Sequence, residues 1–167
     1  MAPSNRKPLY ILAPFIATWP HVVDRMLNLA DVASNDVVYD LGCGDGRIII
    51  TAAKQYGARG VGVDLEPYRV EESKANAKKA GVEHLVTFLL QDALTVDVSP
   101  ATVVMLYLVE WSTLKLKPIL QSQLQRGARI VSHNYDMGDW EPARTEKFTD
   151  AAGRTHILYL WRAEGNG

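Results

Sequence analysis

Three glycines at alternate positions, Gly42, Gly44 and Gly46, follow an apolar stretch that ends in Asp40. A helical pattern begins directly after them at Arg47. This succession predicts a buried strand, a tight turn and the first turn of a helix. Glycine permits positive φ and has no Cβ, so a ligand can lie directly on the main chain. Open α/β sheets bind ligands at the carboxyl ends of their strands, and the turn is therefore the first candidate site.

The spacing of these glycines excludes two common nucleotide sites. A dinucleotide fingerprint needs G-x-G-x-x-G, but counting from Gly42 the last glycine position is occupied by Arg47. A P-loop needs Gly-Lys followed by Ser or Thr, which this stretch does not contain. The pattern that remains is Asp-x-Gly-x-Gly-x-Gly. Its alternative interpretation is an ordinary glycine-rich turn in some other α/β domain.

A second carboxylate stands at the end of the next apolar stretch. Asp64 ends the run that starts at Gly60, and it follows the glycine turn by close to the ~20 residues that precede the ribose-binding acid in dinucleotide folds. A carboxylate has two acceptor oxygens, so Asp64 can bind both hydroxyls of a ribose. Glu66 is near enough to compete for this role. Asp64 is preferred because it ends the apolar run.

The rest of the chain supplies the elements that must position these residues. Helices are predicted from Pro20 with Thr18 as a cap, from Arg47 to Gly57, from Pro67 to Gly81, and over 110–124 with an interruption near Pro118. Strands are predicted at 37–40, 60–64, 85–90, 102–108 and 128–133, and as a closing hairpin at 144–149 and 155–161. The run 102–108 has no polar alternation and is expected at the centre of the sheet.

Composition sets broad limits on the kind of protein. The 167 residues fit one domain, predicted over 13–162 with tails at 1–12 and 163–167. A net charge of −1 gives no whole-chain attraction to nucleic acid or membrane. Cys43 is the single cysteine, so no internal disulfide can form and a reducing cytoplasm is expected. No apolar run approaches the ~20 residues of a membrane span.

Four stretches together resemble one enzyme family, the class I (seven-β-strand) S-adenosylmethionine-dependent methyltransferases. They are Pro14–Pro20, Asp40–Arg47, Leu106–Leu108 and Ser132–Trp140. Within that family the chain is similar to a small group without extra domains, which includes broad-specificity archaeal and bacterial protein-lysine methyltransferases and the mitochondrial enzyme that methylates a lysine of the ATP synthase c-subunit. Those relatives tend to have Pro-Thr-Pro where this chain has Ala17-Thr18-Trp19-Pro20, and the departure at Trp19 concerns the detail of the N-terminal closure over the cofactor.

The resemblance implies an α/β fold with a Rossmann-like, doubly wound sheet of strand order 3-2-1-4-5-7-6 and an antiparallel last strand. It implies S-adenosyl-L-methionine as the cofactor, whose ammonium and sulfonium suit an acidic residue at the strand end. Asp92 resembles the acid that contacts the adenine amine, with a plain turn aspartate as the alternative. The expected cofactor contacts are Thr18, Asp40, Gly42, Cys43, Gly44, Gly46, Asp64, Leu65, Asp92, Ala93 and Tyr107.

A lysine acceptor adds one chemical requirement, because its amine, with a reference pKa near ~10.4, must lose a proton before it attacks. An aromatic slot can lower that pKa, and a carboxylate or a water can take the proton. The catalytic candidates are Tyr107, Glu110 and Asp136. The residues that could form the slot are Tyr107, Trp111, Tyr135 and Trp140, each with simple packing as the alternative.

The expected function is thus N-methyl transfer to protein lysine side chains by in-line displacement. The alternatives are a small-molecule or lipid amine as acceptor, or a scaffold that binds the cofactor without catalysis. The expected partner is a protein substrate, with no nucleic acid, and the expected state is a monomer or weak homo-oligomer. No metal is expected, because the reaction needs none and the histidines show no ligand spacing. The histidines are His21, His84, His133 and His156.

Overall fold

The computed structural model describes residues 18–108 and 110–165, without the side chains of Glu110 and Trp111. Seven strands form one sheet in the order β3-β2-β1-β4-β5-β7-β6, and β7 runs antiparallel to both its neighbours. The predicted sheet is confirmed. The strands are β1 (Val37–Leu41), β2 (Arg59–Asp64), β3 (Val86–Leu90), β4 (Val103–Leu106), β5 (Arg129–His133), β6 (Arg144–Thr149) and β7 (Thr155–Arg162).

Helices cover both faces of this sheet, and each face has its own apolar core. The helices are α1 (Pro20–Leu29), α2 (Arg47–Tyr56), α3 (Pro67–Lys79) and α4 (Glu110–Gln123). One core joins α1, α2 and α3 to side chains such as Val103 and Leu158. The other joins α4 to side chains such as Val104 and Trp161. Adjacent residues of β4 thus face opposite cores, and all four β4 residues are buried, which confirms its predicted central place.

The start of α1 differs from the prediction. Its N-cap is Trp19, which has extended backbone angles and makes no side-chain cap, while Pro20 takes the first helical position as expected. Thr18 is instead buried, with 5% of its surface exposed. Local preference for a threonine cap therefore yields to the tertiary contacts that bury this residue.

The predicted interruption near Pro118 is also wrong. Helix α4 continues through this residue from Glu110 to Gln123. Pro118 and Leu114, the residue four positions earlier, are both exposed. Water can therefore bind the Leu114 carbonyl that the missing proline N–H leaves without a partner, and the buried side of the helix keeps its regular packing.

A buried ion pair closes the edge of the sheet at the amino ends of the central strands. Asp36 accepts hydrogen bonds from the Ala33 N–H and the Thr102 hydroxyl, each at 2.8 Å. Its other partner is Arg129 of β5, which also donates to the carbonyl of Ala30 at 2.8 Å. This cluster ties β1, β4 and β5 to the end of α1 on the side opposite the glycine turn.

Among the residues described, no helix is both long and apolar enough to cross a bilayer. The predicted tail of residues 1–12 lies outside the described part of the chain.

Candidate functional site

The glycine turn lies between β1 and α2 and is held by main-chain hydrogen bonds to β2. The N–H groups of Gly42 and Cys43 donate to the carbonyl of Val63, at 2.8 and 2.9 Å. The N–H of Gly44 donates to the Asp64 carboxylate at 2.9 Å. Three successive donors of the turn therefore point at the end of β2. A phosphate loop leaves such donors free for an anion, so this turn is not built as an anion site.

Two of the glycines combine a positive φ with close neighbours. Gly42 has φ of +92°, and a Cβ there would lie 3.2 Å from the Leu108 side chain. Gly46 has φ of +82°, and its Cβ would lie 3.0 Å from the Phe88 ring. The positive φ favours glycine at both positions, and the close neighbours leave little room for a Cβ.

Asp40 and Cys43 both face inward from this turn. Asp40 is 2% exposed, and burial followed by the nearby charges of Asp64 and Asp45 raises its pKa well above the ordinary carboxyl range. Cys43 is buried, and burial followed by the charges of Asp40 and Asp64 raises its thiol pKa. The thiol of Cys43 is therefore enclosed by the protein, and the expected cofactor contacts of Asp40 and Cys43 stay predictions.

Asp64 ends β2 as predicted and has both carboxylate oxygens engaged by the protein. One accepts the N–H of Gly44 and the other accepts the N–H of Glu66 at 3.0 Å. A carboxylate has about four lone-pair positions, so two remain for a ligand. Leu65 and Glu66 follow and are partly exposed, with Glu66 at the N-cap of α3 without a side-chain cap.

Asp92 and Ala93 follow β3 at the same edge of the sheet. Asp92 is partly exposed, and one of its carboxylate oxygens accepts the N–H of Leu94 at 2.9 Å. This hydrogen bond is typical of an aspartate that only shapes a turn, which is the alternative interpretation of Asp92. It leaves the second carboxylate oxygen for other contacts. Ala93 is 4% exposed, so little of its side chain faces solvent.

Arg47 connects the glycine turn to the N-terminal segment. Its guanidinium binds both oxygens of Asp45 and donates to the Thr18 carbonyl at 2.9 Å. Burial opposes ionisation of Asp45, but the hydrogen bonds and charge of Arg47 outweigh it and lower the Asp45 pKa. Arg47, which stands where a dinucleotide fingerprint would have its last glycine, therefore holds Thr18 beside the turn. The rest of the predicted closing segment, Pro14–Ala17, lies outside the described residues.

Tyr107 follows β4 at the same edge, and its ring lies against His133 with centroids 4.2 Å apart. Burial and the nearby Tyr135 raise the pKa of the Tyr107 hydroxyl. Of the other catalytic candidates, Asp136 is exposed, and its carboxylate accepts the N–H of Gly138 in the following turn. The side chain of Glu110 lies outside the described part of the structure, as does that of Trp111.

The predicted aromatic slot is only partly assembled. Tyr135 lies close enough to Tyr107 to affect its titration. Trp140 instead packs on Trp161, with ring centroids 6.1 Å apart, and its carbonyl accepts the Trp161 indole N–H at 2.7 Å. The packing interpretation is therefore the better one for Trp140.

Sequence reasoning missed a chain of histidines beside Tyr107. His133 at the end of β5 and His156 on β7 are joined by a 2.8 Å hydrogen bond between Nε2 and Nδ1. His156 Nε2 in turn lies 2.8 Å from Asp150 Oδ2. The sheet register creates this chain, since His133 pairs with Leu158 and the side chain two positions earlier on β7 lies on the same face. Only a prediction of that register could have found it.

His21 on α1 lies beside Asp150 and His156, at the outer end of the hydrogen-bonded histidine chain. Its ring centroid is 6.0 Å from that of His156, and ligating atoms of His21, Asp150 and His156 all lie within 4.8 Å of one another. Residues that show no ligand spacing in the sequence are thus neighbours in space. Both ring nitrogens of His156 are engaged in hydrogen bonds, to Asp150 and His133, so the group is organised as a hydrogen-bonded chain.

Comparison with known sequences gives a consistent set of relatives. The family model of the ANTKMT methyltransferase domain matches residues 40–144. The protein-lysine N-methyltransferase of Saccharolobus islandicus is 42% identical over 149 residues, which are 89% of this chain and 92% of that protein. The Xenopus laevis lysine N-methyltransferase of the ATP synthase c-subunit is 33% identical over 142 residues, 85% of this chain. This chain spans only 61% of the length of that vertebrate relative.

Solved structures share the fold and contain S-adenosyl-L-homocysteine, which is the expected cofactor without its transferable methyl group. An RNA methyltransferase from Salinibacter ruber, in complex with S-adenosyl-L-homocysteine, is 49% identical with a TM-score of 0.84, over 91% of this chain and 95% of that chain. A SAM-dependent methyltransferase from Geobacter sulfurreducens, in complex with the same molecule, is 25% identical with a TM-score of 0.63, over 75% and 51% of the two chains.

Proposed function

We propose that this chain, which belongs to the ANTKMT methyltransferase domain family and is an S-adenosylmethionine-dependent methyltransferase, transfers the methyl group to lysine side chains of proteins. The observation that carries the lysine acceptor is the match to the archaeal protein-lysine N-methyltransferase, which extends over 92% of that protein's length. The 42% identity extends over 149 residues, which are 89% of this chain, so the similarity is not confined to the glycine turn.

The residues of the glycine turn fit the cofactor on physical grounds. The cofactor carries an ammonium and a sulfonium, and the turn offers buried or partly buried carboxyls at Asp40, Asp45 and Asp64 while its own N–H donors are consumed. We infer that Asp64 binds the ribose hydroxyls through its remaining lone pairs and that Asp92 faces the adenine. When bound, the cofactor supplies an activated methyl group for in-line displacement.

The role of the protein in such a displacement is mainly to align the acceptor amine and exclude water. We infer that Tyr107, which follows the central strand β4, forms one wall of the acceptor site. No metal ion is invoked in this mechanism, because the sulfonium already activates the methyl carbon.

RNA is the competing acceptor suggested by the name of the Salinibacter ruber relative. RNA binding draws most of its affinity from phosphate contacts with Lys and Arg. This chain has 18 Lys and Arg against 19 Asp and Glu, so its net charge provides no attraction to a phosphate backbone. We therefore favour protein over RNA.

Incubation with a methyl-labelled cofactor and a cell extract tests the proposal. We expect the label to be sensitive to protease, resistant to ribonuclease and recovered as methyllysine after acid hydrolysis. Label lost on ribonuclease treatment would indicate RNA, and label in the organic or small-molecule fraction would indicate a lipid or small amine. Cofactor binding without any labelled product would indicate a non-catalytic scaffold.

A further inference from the structure

The histidine chain has a fixed direction, set by Asp150 at its outer end. Asp150 is ionised at neutral pH, because the hydrogen bond from His156 and the N–H of Arg154 lower its pKa. An ionised carboxylate only accepts hydrogen bonds, so a neutral His156 carries its hydrogen on Nε2 and leaves Nδ1 bare. His133 must then donate from Nε2 to that bare nitrogen. The remaining nitrogen of His133, Nδ1, is left with a lone pair and no hydrogen.

The Nδ1 atom of His133 is buried and has no hydrogen-bond partner among residues 18–108 and 110–165. His133 as a whole is 2% exposed. Buried polar atoms are nearly always hydrogen-bonded in folded proteins, and an orphan of this kind calls for an explanation. A bare acceptor at the end of an oriented chain is suited to receive a proton donor.

The position of the orphan nitrogen indicates which donor it receives. His133 ends β5, beside the end of β4, and its ring lies on Tyr107, with centroids 4.2 Å apart. This is the carboxyl edge of the sheet, where the glycine turn and Asp64 also lie. The His133 ring therefore lies at the same end of the strands as the predicted cofactor site.

We propose that His133 Nδ1 takes the proton from the acceptor ammonium, with His156 and Asp150 as the positioning residues that keep this nitrogen bare. The inference rests on the proposed transfer to lysine. One N–H bond of the ammonium breaks, its electron pair stays on the amine nitrogen, and the proton moves to Nδ1 directly or through one water. The amine then uses that electron pair to form its bond to the methyl carbon.

The proton does not stay on His133. Burial, followed by the neighbouring His156, lowers the pKa of His133 to about 4. As Nδ1 gains a proton, the Nε2 hydrogen passes to His156, where the charge lies beside the Asp150 carboxylate. Four other charged or titratable groups face these histidines. They are Tyr107 after β4, Tyr135 in the loop after β5, His21 on α1 and Arg154 in the hairpin.

The first test reads the tautomers directly. Long-range ¹H–¹⁵N correlation spectra of the imidazole rings, recorded near neutral pH on the whole protein, should show His133 and His156 both protonated on Nε2 and bare on Nδ1. This measurement needs no substrate and no turnover. A hydrogen on His133 Nδ1 would overturn the proposal.

The second test reverses the direction of the hydrogen bonds between Asp150, His156 and His133. It uses one nearly isosteric substitution, Asp150→Asn. Two backbone N–H groups, of Ala152 and Arg154, point at Asp150 Oδ1 at 2.9 Å. They require the amide oxygen at that position, so the amide NH₂ faces His156 and forces a bare Nε2. The hydrogen of His156 then moves to Nδ1, and the hydrogen of His133 moves to its own Nδ1.

D150N should therefore keep the fold and the affinity for S-adenosylhomocysteine, show reversed tautomers in the spectra, and methylate lysine about 100-fold more slowly, as is typical when a general base is lost. His84→Gln is the matched control. His84 is exposed and precedes β3, so it lies near the amino ends of the strands, away from the glycine turn. It should leave both the spectra and the rate unchanged.

The outcomes separate this inference from the function on which it rests. Lysine methylation by the wild type, with an unchanged rate in D150N despite reversed tautomers, would overturn the proton acceptor alone. Wild-type protein that methylates RNA or a small amine and no lysine would overturn the proposed function as well. The expected tautomers with the expected loss of rate would support both.

Discussion

Gly44 and Asp64 are joined by a 2.9 Å hydrogen bond from the main-chain N–H of the glycine to the carboxylate. The bond links the turn after β1 to the end of β2, and a second N–H, from Glu66, binds the other carboxylate oxygen. Asp64 thus shapes the site and is also the residue predicted to bind the ribose. The two roles can be separated by comparing its variants with those of Glu66.

Asp64→Ala should weaken the binding of S-adenosylhomocysteine at least tenfold. Charge-assisted hydrogen bonds contribute about 1.5–3 kcal/mol each, and about 1.4 kcal/mol corresponds to one decade in affinity. Because the substitution also releases the Gly44 N–H, it should lower the melting temperature. Glu66→Ala, which removes no hydrogen bond seen to the turn, should have the smaller effect on both. Calorimetric titration of the two variants decides, and a larger loss in Glu66→Ala would assign the ribose to Glu66.

Asp40 should make cofactor binding and fold stability respond to pH in opposite directions. Its pKa is raised in the folded protein, so the stability it contributes is present below the unfolded pKa of about 3.9 and is lost as the pH rises through the folded value. The cofactor is cationic and favours the ionised carboxylate, so its affinity should rise over the same range.

Asp40→Asn tests this pair of effects. The variant should be more stable than the wild type at about pH 8 and should bind S-adenosylmethionine more weakly there, with a flatter dependence of affinity on pH. Thermal unfolding across pH 5–8 measures the stability, and calorimetric titration with S-adenosylmethionine over the same range measures the affinity. A variant that is less stable at every pH would show that the fold needs the Asp40 carboxyl group itself.

Arg47→Lys should loosen the N-terminal segment. A lysine can pair with Asp45, but it cannot bind two carboxylate oxygens and the Thr18 carbonyl at once. The side chain is 35% exposed, so we expect a loss of only about 1 kcal/mol, roughly a fivefold faster exchange of amide hydrogens at the start of α1. Hydrogen exchange at Val22 and Val23 is the measurement. Lys54→Arg, in the last turn of α2, is the control and should leave these rates unchanged.

Asp36→Ala should destabilise the fold without changing cofactor affinity. The Asp36 side chain is 5% exposed, and its removal leaves the Arg129 guanidinium buried without its carboxylate. Breaking a buried pair in this way typically costs about 3–5 kcal/mol. Urea unfolding should show that loss, whereas titration with S-adenosylhomocysteine should match the wild type, because the pair lies at the opposite edge of the sheet. A double variant with Arg129→Met should recover part of the stability.

The features that could be predicted from the sequence are those with local causes. Apolar runs ending in Asp40 and Asp64 located β1 and β2, and the alternate glycines located the turn, because strand burial and positive φ leave a mark on adjacent residues. The strand order came from a family resemblance and was confirmed.

The features that escaped prediction depend on distant contacts. Thr18 suits a helix cap, but its carbonyl is bound by Arg47, 29 positions along the chain, and the side chain is buried. The helix α4 spans Pro118 without the predicted interruption, and that side of the helix is exposed, so water can bind the carbonyl that the missing N–H leaves without a partner. His133 and His156 meet only through the register of β5 and β7, which no local pattern specifies.

The burial of Cys43 turns the single thiol of the chain into an intrinsic reporter. Its sulfur lies beneath the glycine turn, 4.0 Å from the Ser73 hydroxyl, and its raised pKa keeps it in the unreactive thiol form. Alkylating reagents can reach it only when the turn opens. The rate of alkylation, followed by mass spectrometry of the intact protein, therefore measures how often the turn opens, and occupancy of the site by a ligand should slow it without any introduced label.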